Sequence, residues 1–266
     1  MSQVRFAAYR LALHHELARV FVKGRSIHSF RDPSGPVDAD PSRGESRDVR
    51  IVCLADTHGH HDALVVPDGD VLIHAGDATL GGTAEEVASF ATWLRTQPHP
   101  HKLFVAGNHD RVFEDAPEHA RSLLGDEIVY LQDSETKVEG LRVWGSPWQP
   151  WFLDYAFNLP RGEALRAKWD LIPEETDVLV THGPPRGILD CVEGEALALG
   201  RKFGQGPHAG CDDLRAAVAR RRPRFHVFGH IHEGYGRETV DGTVFVNAAC
   251  VDARYRPINS PVVLEL

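Results

Sequence analysis

Apolar residues along this chain fall into short unbroken runs, and each run ends in a polar cluster. Ile51-Val52-Cys53-Leu54-Ala55 ends in Asp56-Thr57-His58, and Val71-Leu72-Ile73 ends in His74-Ala75-Gly76-Asp77. Leu103-Phe104-Val105 leads through Ala106 into Gly107-Asn108-His109-Asp110, Val178-Leu179-Val180 into Thr181-His182-Gly183, and Val227-Phe228 into Gly229-His230-Ile231-His232. Runs rich in β-branched residues and lacking alternation read as strands covered on both faces, the mark of a parallel sheet. Parallel strands bring the residues at their carboxyl ends to one edge, where open α/β sheets carry their sites.

Helical periodicity fills the gaps. Thr83-Ala84-Glu85-Glu86 has the form of a capping box and precedes Val87, Phe90, Ala91 and Leu94 on one helical face. Further helices are predicted near residues 117–124 and 212–222, and further strands at Ile128-Val129-Tyr130, Leu141 to Trp144, Phe225 to Phe228, Val244 to Val246 and Val262 to Leu264. Such alternation predicts an α/β fold with a sheet covered by helices. Before the first run, Val4, Ala8, Leu11, Leu17, Val20 and Phe21 recur at helical spacing, and Asp32 to Ser46 is rich in Pro, Ser, Gly and Asp. The predicted organisation is a helix with a mobile linker over residues 1–47 and one catalytic domain over 48–266.

Composition narrows the class of partner. A chain of 266 residues with 42% apolar and 25% charged residues suits one globular α/β domain with a substantial core. Its formal charge of -9 argues against a footprint for long nucleic acid and leaves small anionic substrates open, since bound cations reverse the sign locally. Four cysteines (Cys53, Cys191, Cys211 and Cys250) show no CxxC spacing, so neither a zinc knuckle nor a disulfide framework is expected, and Cys53 is expected in the core. Arg5, Arg10, His14, His15, Glu16 and Arg19 break the apolar N-terminal positions, which argues against a signal-peptide core or a membrane span and predicts a cytoplasmic protein. Oligomeric state is left open.

A single Asp-x-His after a strand is more often a turn or a helix cap than a metal site. Five strand ends bearing Asp, His and Asn change that reading, because these are the hard and borderline donors of a divalent cation. In order, Asp56-x-His58, Gly76-Asp77, Gly107-Asn108-His109-Asp110, Thr181-His182 and Gly229-His230-x-His232 resemble the full signature of the calcineurin-like metallophosphoesterase superfamily. Pro67-Asp68-Gly69-Asp70, Gly145-Ser146-Pro147-Trp148, Thr181 to Pro185 and His232 to Gly236 look like its metallophosphoesterase-domain-containing subgroup.

The resemblance implies a four-layer αββα sandwich with a helical N-terminal extension and a site atop two facing sheets. It implies two divalent ions, manganese first, with iron, zinc or cobalt also compatible with mixed N/O ligation. Asp56, His58, Asp77 and His232 would hold one ion and Asp77, Asn108, His182 and His230 the other, with Asp77 bridging. A metal pair of this kind generates hydroxide near neutral pH and polarises the phosphoryl group. His109 would stabilise or protonate the leaving oxygen and Asp110 would orient it. His60, His61 and His74 match no implied ligand, and glycines 76, 107, 183 and 229 are expected to let the chain turn beside the ligands.

Departures from related groups refine the expectation. Positions 78–82 are Ala-Thr-Leu-Gly-Gly, without the arginine that Ser/Thr protein phosphatases place after this aspartate, and Leu80 stands where purple acid phosphatases have a tyrosine ligand. The predicted activity is hydrolysis of small phosphodiesters, cyclic nucleotides first. A broad phosphomonoesterase and a catalytically weak scaffold are the alternatives, although every expected ligand position is filled, His230 included. Trp144, Trp148, Trp151, Phe152, Tyr155 and Phe157 read as core filling, with a base-stacking platform as the alternative.

Overall fold

The computed structural model describes residues 48–193 and 207–266. The predicted N-terminal helix and linker, residues 1–47, lie outside the described residues. Five strands form one sheet: β1 (Arg50–Leu54), β2 (Val71–Ala75), β3 (His101–Val105), β4 (Ile128–Tyr130) and β13 (Val262–Glu265), in the order β13-β1-β2-β3-β4. β1 to β4 are parallel, and β13 closes one edge antiparallel to β1. The second sheet is built from β5 (Ser134–Val138), β6 (Leu141–Ser146), β9 (Val178–Thr181), β10 (Phe225–Phe228), β11 (Gly236–Val240) and β12 (Thr243–Asn247), in the order β11-β12-β10-β9-β6-β5. Its four central strands are parallel and its two edges antiparallel. Two short strands, β7 (Gln149–Pro150) and β8 (Asn158–Leu159), pair by themselves.

Side-chain alternation explains the layers. Ile51, Cys53, Ile73, Leu103 and Val105 of the first sheet meet Val143, Val178, Val180, Val227 and Val246 of the second in one buried cluster. The opposite faces carry the complementary set: Val52, Leu54, Leu72 and Phe104 pack on Val87, Phe90, Ala91 and Leu94 of α1 (Ala84–Thr96) and on Ala120 and Leu124. Trp144, Leu179, Phe228 and Phe245 pack outward on Leu165 and Trp169 of α4 (Glu163–Trp169) and on Leu214, Ala217 and Val218 of α5 (Asp212–Arg221). The result is the expected four-layer αββα sandwich, and its unbroken apolar runs follow from strands buried on both faces. Two further helices, α2 (Val112–Asp115) and α3 (Pro117–Leu124), complete the first outer layer.

Both halves of the predicted capping box form at α1: the Glu86 amide donates to Thr83 Oγ1 and the Thr83 amide to the Glu86 carboxylate. Glu86 also accepts the amides of Leu80 and Gly81, so one carboxylate fixes both the helix start and the loop after Asp77. Among the described residues no helix is long and apolar enough to cross a membrane.

Candidate metal centre

β1, β2 and β3 end at Asp56, Asp77 and Asn108, and β9 and β10 end at His182 and His230, so the facing sheets deliver all seven implied ligands to one rim. Three overlapping groups of donors converge there. The first is Asp56, His58 and His232, the second Asp77, His182 and His230, and a third, His58, Asp77 and His109, overlaps both. Asp77 Oδ2 lies 3.7 Å from His58 Nε2 and 3.4 Å from His182 Nε2, which places this carboxylate between the groups. Asn108 Oδ1 is 2.9 Å from His182 Nε2 and so belongs to the second.

Backbone carbonyls set the imidazoles. His58 Nδ1 faces Thr79 O at 3.2 Å, His182 Nδ1 faces Ala75 O at 3.0 Å and His232 Nδ1 faces Asp252 O at 3.1 Å. A carbonyl only accepts, so Nδ1 carries a proton in each ring and Nε2 is the nitrogen turned inward, the arrangement that prepares a histidine for metal ligation. His58 Nε2 and His232 Nε2 then face one another at 3.3 Å, with Asp56 Oδ1 3.9 and 3.5 Å from them, so two nitrogens and a carboxylate oxygen converge on a point that either a proton or a cation has to occupy. A divalent cation satisfies all three at once, and this is the observation on which the donor set fits a metal.

Electrostatics agree. Burial drives the His58 imidazole well below its ordinary value, helped by His109, and burial takes His230 down to about 3. His182 is also buried, yet the Asp77 carboxylate raises it to about 9. Burial likewise pulls on His232, and the hydrogen bond and charge of Asp56 still lift it above its ordinary value. Burial would push Asp77 up, but His182, His109 and His58 together hold it well below the usual carboxylate range. The two aspartates thus favour positive charge at this rim, on His182 and His232 as well as on an ion, while burial makes His58 and His230 resist protonation.

Four of the candidate ligands, Asp56, His58, Asp77 and His230, adopt positive φ between 43° and 68°. Non-glycine residues occupy this region only where their surroundings hold them, and such strain collects at functional sites. The Gly107 backbone comes so close to Asp77 and His182 that a Cβ there would stand 2.2 Å from Asp77 Oδ1. Glycine at this position is demanded by contact, whereas Gly76, at φ 99°, also serves the turn.

His109 lies over the site. Its amide donates to Asp77 Oδ1 at 2.7 Å, its ring stands edge-on to His58 at 4.7 Å, and its Nδ1–H donates to Leu80 O at 2.9 Å. The expectation that Asp110 orients His109 is corrected. The Asp110 carboxylate, fully buried, turns back to accept the amides of Gly107, Ala78 and Thr79 and the Thr79 hydroxyl. Leu80 O orients the imidazole, and Asp110 is a positioning residue that ties the β2 and β3 loops together. Burial and the neighbouring Asp77 raise its carboxyl to about 6 in spite of these donors.

Other residues fall where their surroundings dictate. His74 Nε2 meets Thr57 Oγ1 at 3.0 Å beneath the site, His61 packs on Phe90 and Trp93, and His60 is exposed. Trp144 and Phe157 fill the core as expected, but Tyr155 stacks on His109 at 4.8 Å. The Tyr255 ring, unforeseen from sequence, lies 4.8 Å from His58 and 5.3 Å from His232. It arrives from a loop far along the chain at φ 59°, a placement without a local sequence signal. Beside His232 opens a 360 Å³ cavity lined by His232, Asp252, Arg254, Arg256 and Asn259, among others.

Residues 49–234 match the family model described as calcineurin-like phosphoesterase. Over 242 residues the chain is 44% identical to metallophosphoesterase domain-containing protein 1 of Homo sapiens, covering 82% of this chain and 71% of that protein. It is 36% identical over 252 residues to UPF0046 protein C25E10.12 of Caenorhabditis elegans, covering 88% and 86%. Among solved structures it superposes on phosphopantetheinyl hydrolase from Mycobacterium tuberculosis with TM-score 0.52 at 15% identity (78% of this chain, 91% of that one), and on TT1561 of Thermus thermophilus with TM-score 0.54 at 16% identity (76% and 89%). At these identities the structural likeness concerns the fold.

Proposed function

We propose, from the premise that this chain belongs to the calcineurin-like phosphoesterase family and so carries out metal-dependent phosphoester hydrolysis, that its substrates are small phosphodiesters, cyclic nucleotides first. The observation that carries the choice of diester is the loop after Asp77. Ala78 to Gly82 presents no cationic side chain, and Leu80 and Gly81 give their amides to Glu86. A dianionic monoester gains from a guanidinium clamp at such a place, whereas a monoanionic diester needs less positive charge from the protein. Tyr155, His109 and Tyr255 add a ring-lined wall that suits a base or another flat substituent.

Asp56, His58, Asp77 and His232 would hold one ion and Asp77, Asn108, His182 and His230 the other, with manganese the first choice and iron, zinc or cobalt compatible with the same donors. When bound, the ions supply Lewis acidity and lower the pKa of water. The chain's own residues do the rest. Asp77 keeps its carboxylate ionised between the two groups, and the carbonyls of Thr79, Ala75 and Asp252 keep three imidazoles presenting Nε2. His109, its Nδ1–H committed to Leu80 O, has Nε2 as the position from which to hold a proton near the leaving oxygen. Tyr155 and Tyr255 flank it, with ring centroids 4.8 and 6.3 Å away. Four free cysteines, three of them buried, support a reducing, cytoplasmic setting.

The test is a turnover screen of bis(p-nitrophenyl) phosphate, p-nitrophenyl phosphate and 2′,3′- and 3′,5′-cyclic nucleotides before and after chelation, with Mn²⁺ added back. Diester turnover that vanishes on chelation, returns with Mn²⁺ and exceeds monoester turnover is expected. Equal or greater monoester turnover would reject the diester assignment.

A further inference from the structure

Away from the rim, Asp190, Cys191 and His208 bring a carboxylate oxygen, a thiol sulfur and an imidazole nitrogen together, the one such group containing sulfur among the described residues. Cys191 and His208 face each other across an isolated antiparallel bridge. Asp190 is buried, and its Oδ2 accepts the amides of Gly187 and Gly210 at 2.9 and 3.0 Å, which fixes Oδ1 on His208 Nδ1 at 2.7 Å. Cys191 Sγ lies 3.5 Å from the same nitrogen. Cys191 and the His208 ring are open to solvent, so an ion has a way in.

The shared nitrogen decides the chemistry. In a nucleophilic relay the carboxylate and the nucleophile occupy opposite nitrogens of the imidazole, so that a proton passes through the ring. Here both converge on Nδ1, and the three donor atoms surround one point. Replacing the Nδ1 proton with a cation satisfies all three at once. With zinc–sulfur and zinc–nitrogen bonds of about 2.3 and 2.0 Å, tetrahedral ligation needs sulfur and nitrogen about 3.5 Å apart, the separation present. Nitrogen and oxygen need about 3.3 Å, so the His208–Asp190 pair has to open by about 0.6 Å. Thiolate with imidazole selects zinc and its borderline neighbours over magnesium or calcium. Glu193, close enough for its charge to act on the thiol, adds to the negative surroundings.

We infer that Asp190, Cys191 and His208 form a third metal site, of the zinc class, with three protein ligands and a position open to solvent. It is separate from the catalytic centre and independent of which phosphoester is cleaved. Its neighbourhood gives it consequence. The carbonyl of Leu189 accepts from Asn247 Nδ2 and stands 2.0 Å from where a Cβ on Gly234 would lie, and the Glu193 amide donates to Glu233 Oε1 at 3.3 Å. An ion at Cys191 braces the chain against the turn His232–Gly234 that carries a catalytic ligand.

The experiment is Co²⁺ titration of the whole 266-residue chain, followed by near-ultraviolet absorption and metal content, for the wild type and for Cys191→Ser and His208→Ala. The catalytic donors contain no sulfur, so a thiolate-to-cobalt charge-transfer band reads the new site alone. The expected result is a band that saturates at one equivalent per chain and disappears in Cys191→Ser, with metal content one ion lower and the catalytic cobalt retained. In parallel, Zn²⁺ should slow alkylation of Cys191 in the native protein at least tenfold, read by peptide mass, with the protection lost in His208→Ala. No band in the wild type, a band that survives Cys191→Ser, or alkylation indifferent to Zn²⁺ would overturn the assignment.

Discussion

Replacing Gly107 by alanine tests whether close approach of backbone to ligand holds the metal centre. The new Cβ would stand 2.2 Å from Asp77 Oδ1, 2.3 Å from the Asp77 amide nitrogen and 2.7 Å from His182 Cε1, where ordinary contact begins near 3.4 Å. Relief requires the Asp77 carboxylate to move by about 1.2 Å, the difference between 3.4 and 2.2 Å. Displacement of a catalytic group by about 1 Å costs on the order of 10² in rate, while overpacking one buried methyl costs about 1 to 3 kcal/mol of stability. For a domain of this size that stability loss lowers Tm by a few degrees per kcal/mol, so the variant stays folded at assay temperature. Gly183 is the control, because it also sits beside a ligand histidine, yet its Cβ would meet Gln149 Cβ at 3.7 Å and His230 Cδ2 at 3.9 Å, both ordinary contacts. Diester turnover, metal content and far-ultraviolet circular dichroism are measured on both variants. Gly107→Ala should lose at least about 10² in turnover together with bound metal at unchanged secondary structure, and Gly183→Ala should stay within a few-fold of wild type. Two retained ions with near-normal turnover in Gly107→Ala, or equal damage from both changes, would refute the reasoning.

Three other outcomes follow from the same geometry. His109→Ala should keep the catalytic metals yet lose about 10² to 10⁴ on a diester with an alkoxide leaving group and less on one releasing p-nitrophenolate, and steady-state rates that fall equally on both would point to substrate binding instead. Asp77→Ala removes the carboxylate between the two donor groups, so metal analysis should show at least one ion lost along with turnover, and two ions at normal rate would contradict its place. His226, buried with Nε2 on Thr181 Oγ1, is held down at about 3, whereas unfolded chains titrate near 6.5. The unfolded state therefore binds the extra proton, and stability complete above about 6.5 declines as pH falls toward 3, by about 2 kcal/mol at pH 5 from this residue. Urea unfolding of His226→Gln should show a shallower loss between pH 7 and 5 than wild type, and an identical loss would place the sensitivity elsewhere.

Much of the architecture was legible because its central strands are covered twice. Val52 points to the helices and Cys53 to the other sheet, so neither face could be polar and the runs stood out. The edge strands β5 and β11 did not, since Ser134–Val138 alternates toward solvent and Gly236–Val240 has its three middle residues exposed, so neither forms an apolar run. α4 escaped notice at seven residues with no capping side chain. The candidate ligands stood out as Asp, His or Asn at strand ends, but what sets the imidazoles is the carbonyls of Thr79, Ala75 and Asp252, and of Leu80 for His109, which any residue could supply. Asp110 was misjudged because adjacency to His109 suggested contact, while its carboxylate satisfies buried amides across the loop. Gly183 was misjudged in the same way, by company kept in a motif and not by space.

The hydrogen bonds around the ligands also cross between the sheets. His182, from the second sheet, is held by Ala75 O of the first, the His230 amide donates to Asp56, and the Ala55 amide donates to Ala248 O. The candidate centre is therefore a clasp as well as a reaction site, and separation of the sheets at this rim would disturb the donor groups with it. Breathing that frees His182 from Ala75 also moves a donor of the second group. Residues 182 and 230 mark where hydrogen exchange should slow when metal is added.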